Sequence, residues 1–237
     1  MLDFFHSIPL LDWLALVWMI ACWGGYSWYS ESSPAAGRGL VGVSRDYRHR
    51  WAKGLLERDL RVADAALIGN LMSTVSFYAQ TTIYIIAGLF ALLGTLDKVM
   101  NIAADLPFAR NASPNAMELK LMVLLAIFIH AYFKFTWSLR QFNMQTIMVG
   151  AAPSPADHPE PAAVDDYARR LGTVTTHAGI DFNRGIRAYY FGLAAVIWMI
   201  QPWMFIAMTT AILVVLYRRD FKSPICLALL GGPDRRD

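Results

Sequence analysis

Apolar residues in this chain collect into four blocks, each long enough to cross the roughly 30 Å hydrocarbon core of a bilayer, which takes about 20 helical residues. The blocks run from Leu10 to Tyr29, Leu71 to Gly94, Leu119 to Leu139 and Ala188 to Tyr217. Only the third has an unambiguous charge well inside it, Lys134. Membrane β-strands would show ten-residue dyad alternation, which is absent, and an open sheet in lipid leaves backbone groups unpaired at several kcal/mol each. The pattern therefore predicts helices. The expected fold is all-α, a polytopic transmembrane four-helix bundle with amphipathic helices at its cytoplasmic interface. It forms a single membrane domain over residues 1–237, with cytoplasmic connections at 30–70 and 140–187.

The fourth block is unusually long. Its 30 residues make a helix of about 45 Å, more than one perpendicular crossing needs, with Gln201 and Pro202 near the middle. Length favours one kinked or tilted span. The competing reading is a hairpin broken at Pro202, which returns the tail to the side it left but makes each arm short for a crossing.

Sidedness follows from lysine and arginine, which are held on the cytoplasmic face. The first connection carries Arg38, Arg45, Arg48, Arg50, Lys53, Arg58 and Arg61, and the third carries Arg140, Arg169, Arg170, Arg184 and Arg187. The second has Lys98 and Arg110, with Lys120 at its border. With four spans, both rich connections face the cytoplasm of an inner membrane and both termini lie outside it. Arg218, Arg219 and Lys222 resist this, because they follow the fourth span directly.

Two connections carry helical periodicity. Tyr47, Trp51, Leu55 and Val62 form an apolar stripe, with Arg50, Lys53, Glu57, Arg61 and Asp64 on another, and Glu57 can pair with Lys53 or Arg61 four positions away. Such a helix can lie on anionic lipid of the inner leaflet or pack on its own protein. The stretch AAPSPADHPEPAAVDD reads as a flexible linker. Beyond it Tyr167, Leu171, Val174, Ala178 and Phe182 share one helical face, weakened by Gly172 and Gly179. Arg184, Arg187, Tyr189 and Tyr190 then match the anchors of a membrane interface.

Polar residues inside the spans supply the candidate chemistry. Ser73, Ser76, Gln80 and Tyr84 form one seam, and His130, Lys134, Trp137 and Gln141 another. Polar groups are costly against lipid, so both seams should face the bundle interior, a partner subunit or a water-filled cavity. Gln80, His130 and Gln201 lie near the middle of their blocks and could meet at the midplane as a binding or conduction site. The plainer reading is that Ser and Gln bond neighbouring helices and that Lys134 snorkels to the headgroups.

Composition agrees with membrane residence: 56% of residues are hydrophobic and 16% charged, against roughly a quarter charged in soluble domains. Cys22 and Cys226 do not form a spaced pair, so no disulfide is expected. The start, MLDFFHSIPLLDW, has no basic residue before its apolar run and reads as a retained span. His130 has no second histidine within a span; His6, His49, His158 and His177 lie in connections or at the terminus. Neither haem nor metal nor any other cofactor is expected. Glycine-rich phosphate loops, HExxH and G-x-S-x-G are all absent from the sequence.

The segments DAALIGNLMSTVSFYAQTTIYIIAGL, YFKFTWSLRQFN and DFNRGIRAYYFGLAAVIWMIQPWMF, closing with LYRRDF, resemble the membrane proteins grouped as domain of unknown function 599, of the bacterial kind. The resemblance covers nearly the whole chain, supports four spans and implies no activity. It singles out Arg140, Asn143, Asn183, Arg187, Pro202 and Asp220, a set that with Arg184 suits a structural lock or a headgroup contact at the cytoplasmic boundary. The expected role is that of a non-catalytic accessory, scaffold or homo-oligomeric component. Its expected partners are the bilayer, including anionic lipid, and itself or another membrane protein, with no nucleic acid. A channel or small transporter lined by spans two and three is the alternative, and a lipid-modifying enzyme has the least support.

Overall fold

The computed structural model describes residues 8–104, 113–157 and 159–230, so the expectations placed on Arg110, His6 and His158 lie outside the described residues. Every regular element among these is helical: α1 (Leu10–Ser32), α2 (Leu40–Leu56), α3 (Val62–Leu93), α4 (Leu96–Ala104), α5 (Pro114–Gly150), α6 (Pro161–Trp198), α7 (Pro202–Phe221) and α8 (Pro224–Leu230). Short 3-10 turns lie at Ala36–Arg38 and Pro155–Asp157. Of these helices, α1, α3 and α5 are long and apolar enough to cross a membrane.

Proline sets where several helices begin. Its missing N–H and fixed φ suit the first helical position, and Pro114, Pro161 and Pro202 each occupy it. At Pro114 the Ser113 side chain accepts from the Ala116 N–H, closing the cap. This rule overturns the single fourth span. Proline forces the preceding residue out of the α region, and Gln201 is extended at φ −150°, ψ 133°. The block 188–217 is therefore two helices. They fold back on each other: Trp198 stacks on Phe205 at 4.9 Å beside the break, and Arg219 donates to the Tyr190 hydroxyl at the far end.

The long helices form a bundle around an antiparallel pair, α5 and α6. Lys134 meets Asp181, Ser138 Oγ donates to the Ala178 carbonyl at 2.7 Å, and Phe128 meets Tyr189. Close approach is allowed by Gly185, where a Cβ would stand 2.4 Å from the fully buried Phe135 ring. α3 lies antiparallel on α5, with Tyr78 stacked on Phe135. α1 runs antiparallel to α6 and parallel to α7: Asp12 meets Trp198, Tyr26 meets Asp220, and Trp23 stacks on Phe191. The start of α1 and the end of α7 thus lie at opposite ends of the bundle.

Helices α5 and α6 hold 37 and 38 residues, about 56 Å each, well beyond a core of about 30 Å. They tie two hydrophobic cores together. One contains Phe128, Phe135, Phe191, Trp198 and Phe205. The other contains Ala52, Leu55, Leu56, Ile68, Val149, Ala168 and Leu171, and belongs to a head built from α2, the start of α3, the end of α5 and the start of α6.

The head corrects the bounds of the linker and of the first stripe, and bears on the two readings left open for α2. Helix is continuous from Pro161, so the linker shrinks to 151–160 and the face Tyr167 to Phe182 is part of α6, with Leu171 and Ala178 fully buried. α2 packs on its own protein, where Gly172 brings α6 against His49. Its stripe also stops at Leu56: Arg61 donates to the Ala152 and Pro153 carbonyls at 2.8 and 2.6 Å, capping α5, and Lys53 pairs with Asp165 at 2.9 Å, not with Glu57.

Candidate functional site

Both α1 and α5 lean on α6, and the space they leave between them is a groove of about 790 Å³. Its two ends differ in chemistry. Toward the start of α1 the walls are Leu16, Met19, Ile20, Val123 and Ile127, and toward its end they are Glu31, His130, Lys134 and Arg184. Gly24 lines the wall with nothing within 4 Å of where a side chain would begin.

A chain of ion pairs closes the polar end. Glu31 accepts from Arg184 Nε at 3.0 Å and Nη2 at 2.5 Å, and from Arg187 Nη2 at 2.5 Å. Arg184 Nη1 and Lys134 Nζ each reach Asp181 Oδ1 at 3.2 Å, while Gln141 donates to Asp181 Oδ2 at 2.8 Å. Arg187 also donates to Ser30 Oγ at 2.9 Å and lies over the Tyr26 ring, whose hydroxyl donates to Asp220 at 2.5 Å. The cations Lys134, Arg184 and Arg187 face the carboxylates Glu31 and Asp181, which leaves one positive charge in excess. Burial holds the chain in place, because Arg187 is 4% exposed and Asp181 8%, and buried charges persist only when paired.

At the other end of the bundle Asp12 and Lys120 pair at 3.1 Å, both almost fully buried. Trp198 Nε1 donates to Asp12 at 2.7 Å, and Lys120 lies over the same indole.

The candidate residues divide accordingly. His130, Lys134, Arg184 and Arg187 come together, with His130 edge-on to Trp23 at 5.4 Å. Asn183 lines a separate small cavity with Arg187 and Asp220. Arg140 is exposed and lies over the exposed Trp137, and Asn143 is exposed too, so neither joins the lock. Ser73, Gln80 and Tyr84 face outward from α3, Ser76 is half-buried, and Gln201 sits at the α6–α7 turn. The meeting of Gln80, His130 and Gln201 does not occur. Glu31, Asp181 and Asp12 were missed. Their signal was a carboxylate at the edge of an apolar run with an arginine or lysine at matching depth on another helix.

Among the described residues no group of three or more His, Cys, Asp or Glu is placed to hold a metal ion, and both cysteines are free and buried.

Fold and site together define an all-helical protein with helices suited to crossing a membrane. The chain belongs to the family described as "Protein of unknown function, DUF599", whose pattern matches residues 14–225 and so takes in the groove and the ion pairs of its polar end. No curated protein and no solved structure matches the chain.

Proposed function

We propose that the chain is a five-crossing inner-membrane protein that holds an anionic amphiphile, a lipid or a lipid-like molecule, in the groove between α1 and α5, by binding and without chemistry of its own. The carrying observation is the groove's division into an apolar length and a charged end with one cation in excess. From Leu16 to Glu31 along α1 is about 22 Å, most of a hydrocarbon core. An acyl chain fits the apolar walls, and a phosphate or carboxylate fits beside Arg184 and Lys134, where charge-assisted hydrogen bonds are strong.

Charge supports the orientation. The two ion-pair clusters on α1, at Asp12 and Glu31, are about 28 Å apart along the helix, close to the core thickness. With α6 and α7 as two crossings, Arg218, Arg219 and Lys222 fall at the same end as the basic residues of α2 and of the head, so every lysine- and arginine-rich segment faces the cytoplasm. α1 then begins outside and α7 ends inside.

The test is purification from native membranes in mild detergent with mass spectrometry of bound lipid. Wild type retains an anionic lipid; Gly24→Leu, which fills the groove without touching charge, and Lys134→Gln with Arg184→Gln, which remove cations, retain less than a tenth as much. Equal retention by all three proteins would refute the reading.

Self-association through α3 is a second reading, favoured by the outward polar stripe Ser73, Gln80 and Tyr84, since polar groups on a lipid-facing helix seek partners. Gln80→Cys is then expected to give disulfide-linked dimers in membranes, and a monomer-only pattern counts against it.

A further inference from the structure

A second cavity, of about 500 Å³, lies in the head between α2, α3, α5 and α6. It shares no lining residue with the groove. Its walls mix apolar Trp51, Leu67 and Leu71 with polar Arg48, Gln145 and Thr175, the composition and size of a small-molecule site. Two of the polar groups lack partners. Gln145 is 1% exposed, and its Oε1 has no hydrogen bond. Arg48 makes no hydrogen bond or ion pair among the described residues, and its Nη1 is enclosed and unpartnered.

Arg48 is nonetheless held in place. Its Nη2 lies 2.5 Å from where a Cβ on Gly179 would stand, so any larger residue on α6 would displace it. Burial lowers its affinity for the proton, yet a guanidinium stays charged in proteins. Arg48 is half-buried, and a guanidinium partly withdrawn from water beside a cavity, with one enclosed nitrogen unpartnered, is a place where a counter-charge supplied from outside is favoured.

We propose that this cavity binds an amphiphile bearing an anionic oxygen group, phosphate or carboxylate, whose charge is taken by Arg48 and whose hydroxyl or N–H donates to Gln145. The apolar part of the molecule lies against Trp51, Leu67 and Leu71. A membrane lipid headgroup and a free soluble anion share this chemistry.

The full chain, freed of co-purified lipid in neutral detergent, is titrated with dihexanoylphosphatidylglycerol, with zwitterionic dihexanoylphosphatidylcholine and with inorganic phosphate. Thermal unfolding and backbone hydrogen exchange over 44–51 and 67–74 are followed. The anionic lipid is expected to raise the midpoint and slow exchange in both segments, and the zwitterionic one to do neither. Phosphate giving the same protection by itself identifies a soluble ligand, whereas phosphate without effect identifies a headgroup. Arg48→Met should weaken binding at least tenfold, the loss of one charge-assisted bond, while its ligand-free midpoint stays at or above that of wild type because no protein partner is lost. Thr74→Trp fills the cavity, keeps the charge and should also lose binding. The proposal is overturned if neither anionic probe protects 44–51, if Arg48→Met binds unchanged, or if it lowers the ligand-free midpoint by several degrees. Protection confined to 16–31 overturns it too and leaves the groove reading standing.

Discussion

Replacing Glu31 with glutamine tests the polar end of the groove at its centre, because one carboxylate there serves two arginines. Arg187 is 4% exposed, so removing its carboxylate leaves a buried cation with Ser30 and the Tyr26 ring, a change of about 3–5 kcal/mol. Arg184 is 40% exposed and keeps Asp181, so solvent screening holds its share below about 1 kcal/mol. Glutamine preserves volume and one acceptor, returning about 1 kcal/mol. Glu31→Gln should therefore lose about 2–5 kcal/mol net. The assay is reversible unfolding in mixed micelles, followed by circular dichroism, in a double-mutant cycle with Arg187→Met. The double variant removes both charges and should recover most of the loss. Because Glu31→Gln adds positive charge to the groove, its affinity for an anionic lipid should rise while its stability falls. A stability change under about 1 kcal/mol, or independence of the two substitutions, would refute the ion-pair chain as a buried, coupled unit.

Three further outcomes follow from the packing. Asp12→Leu and Lys120→Met should each cost about 3–5 kcal/mol alone and much less together, since each single change strands a buried charge; equal and additive losses would show the pair to be solvated. Gly185→Ala drives a methyl into the Phe135 ring and should cost about 1–3 kcal/mol, whereas Gly25→Ala, with nothing within 4 Å, should stabilise by about 0.5–1 kcal/mol, both read by thermal unfolding. The Cys226 thiol is pushed above its ordinary range by burial and then by Asp220, so less of it is thiolate near pH 8, and its alkylation, mapped by peptide mass, should lag an exposed thiol by at least about tenfold. Labelling at the rate of a free thiol would show that α8 does not seat Cys226 against the Arg38 carbonyl and α2.

The helical class and the three helices long and apolar enough to cross a membrane were legible because their apolar runs exceed a bilayer's need and carry few charges. The fourth block misled, since hydropathy treats Gln201–Pro202 as a pause in one run whereas backbone sterics make it a helix start. The proposed five-crossing orientation then places the basic tail with the other basic segments. Lys134, Arg184 and Arg187 were visible as cations near a boundary, and Asp181 stands three positions before Arg184 on the same helix, but Glu31 lies some 150 positions from the arginines it serves, and no local pattern pairs residues so far apart. The seam of α3 was legible as a stripe, but whether it faced the bundle interior, a partner subunit or a water-filled cavity was not; Ser73, Gln80 and Tyr84 face away from the bundle, since periodicity defines a face and only the neighbours decide where it points. Gly172 and Gly179 looked like helix weaknesses because propensity ignores what packs against them, here His49 and Arg48.

Two unbroken rods, α5 and α6, each contribute to the groove and to the cavity in the head: Val123 and Lys134 with Gln145 on one, Arg184 with Thr175 on the other. An α-helix resists bending without a proline, bulge or inserted side chain to relieve it, so a tilt imposed at one compartment is delivered to the other as lever motion. The groove and the cavity in the head thus share two stiff walls, and a change in the shape of one is carried to the other along α5 and α6.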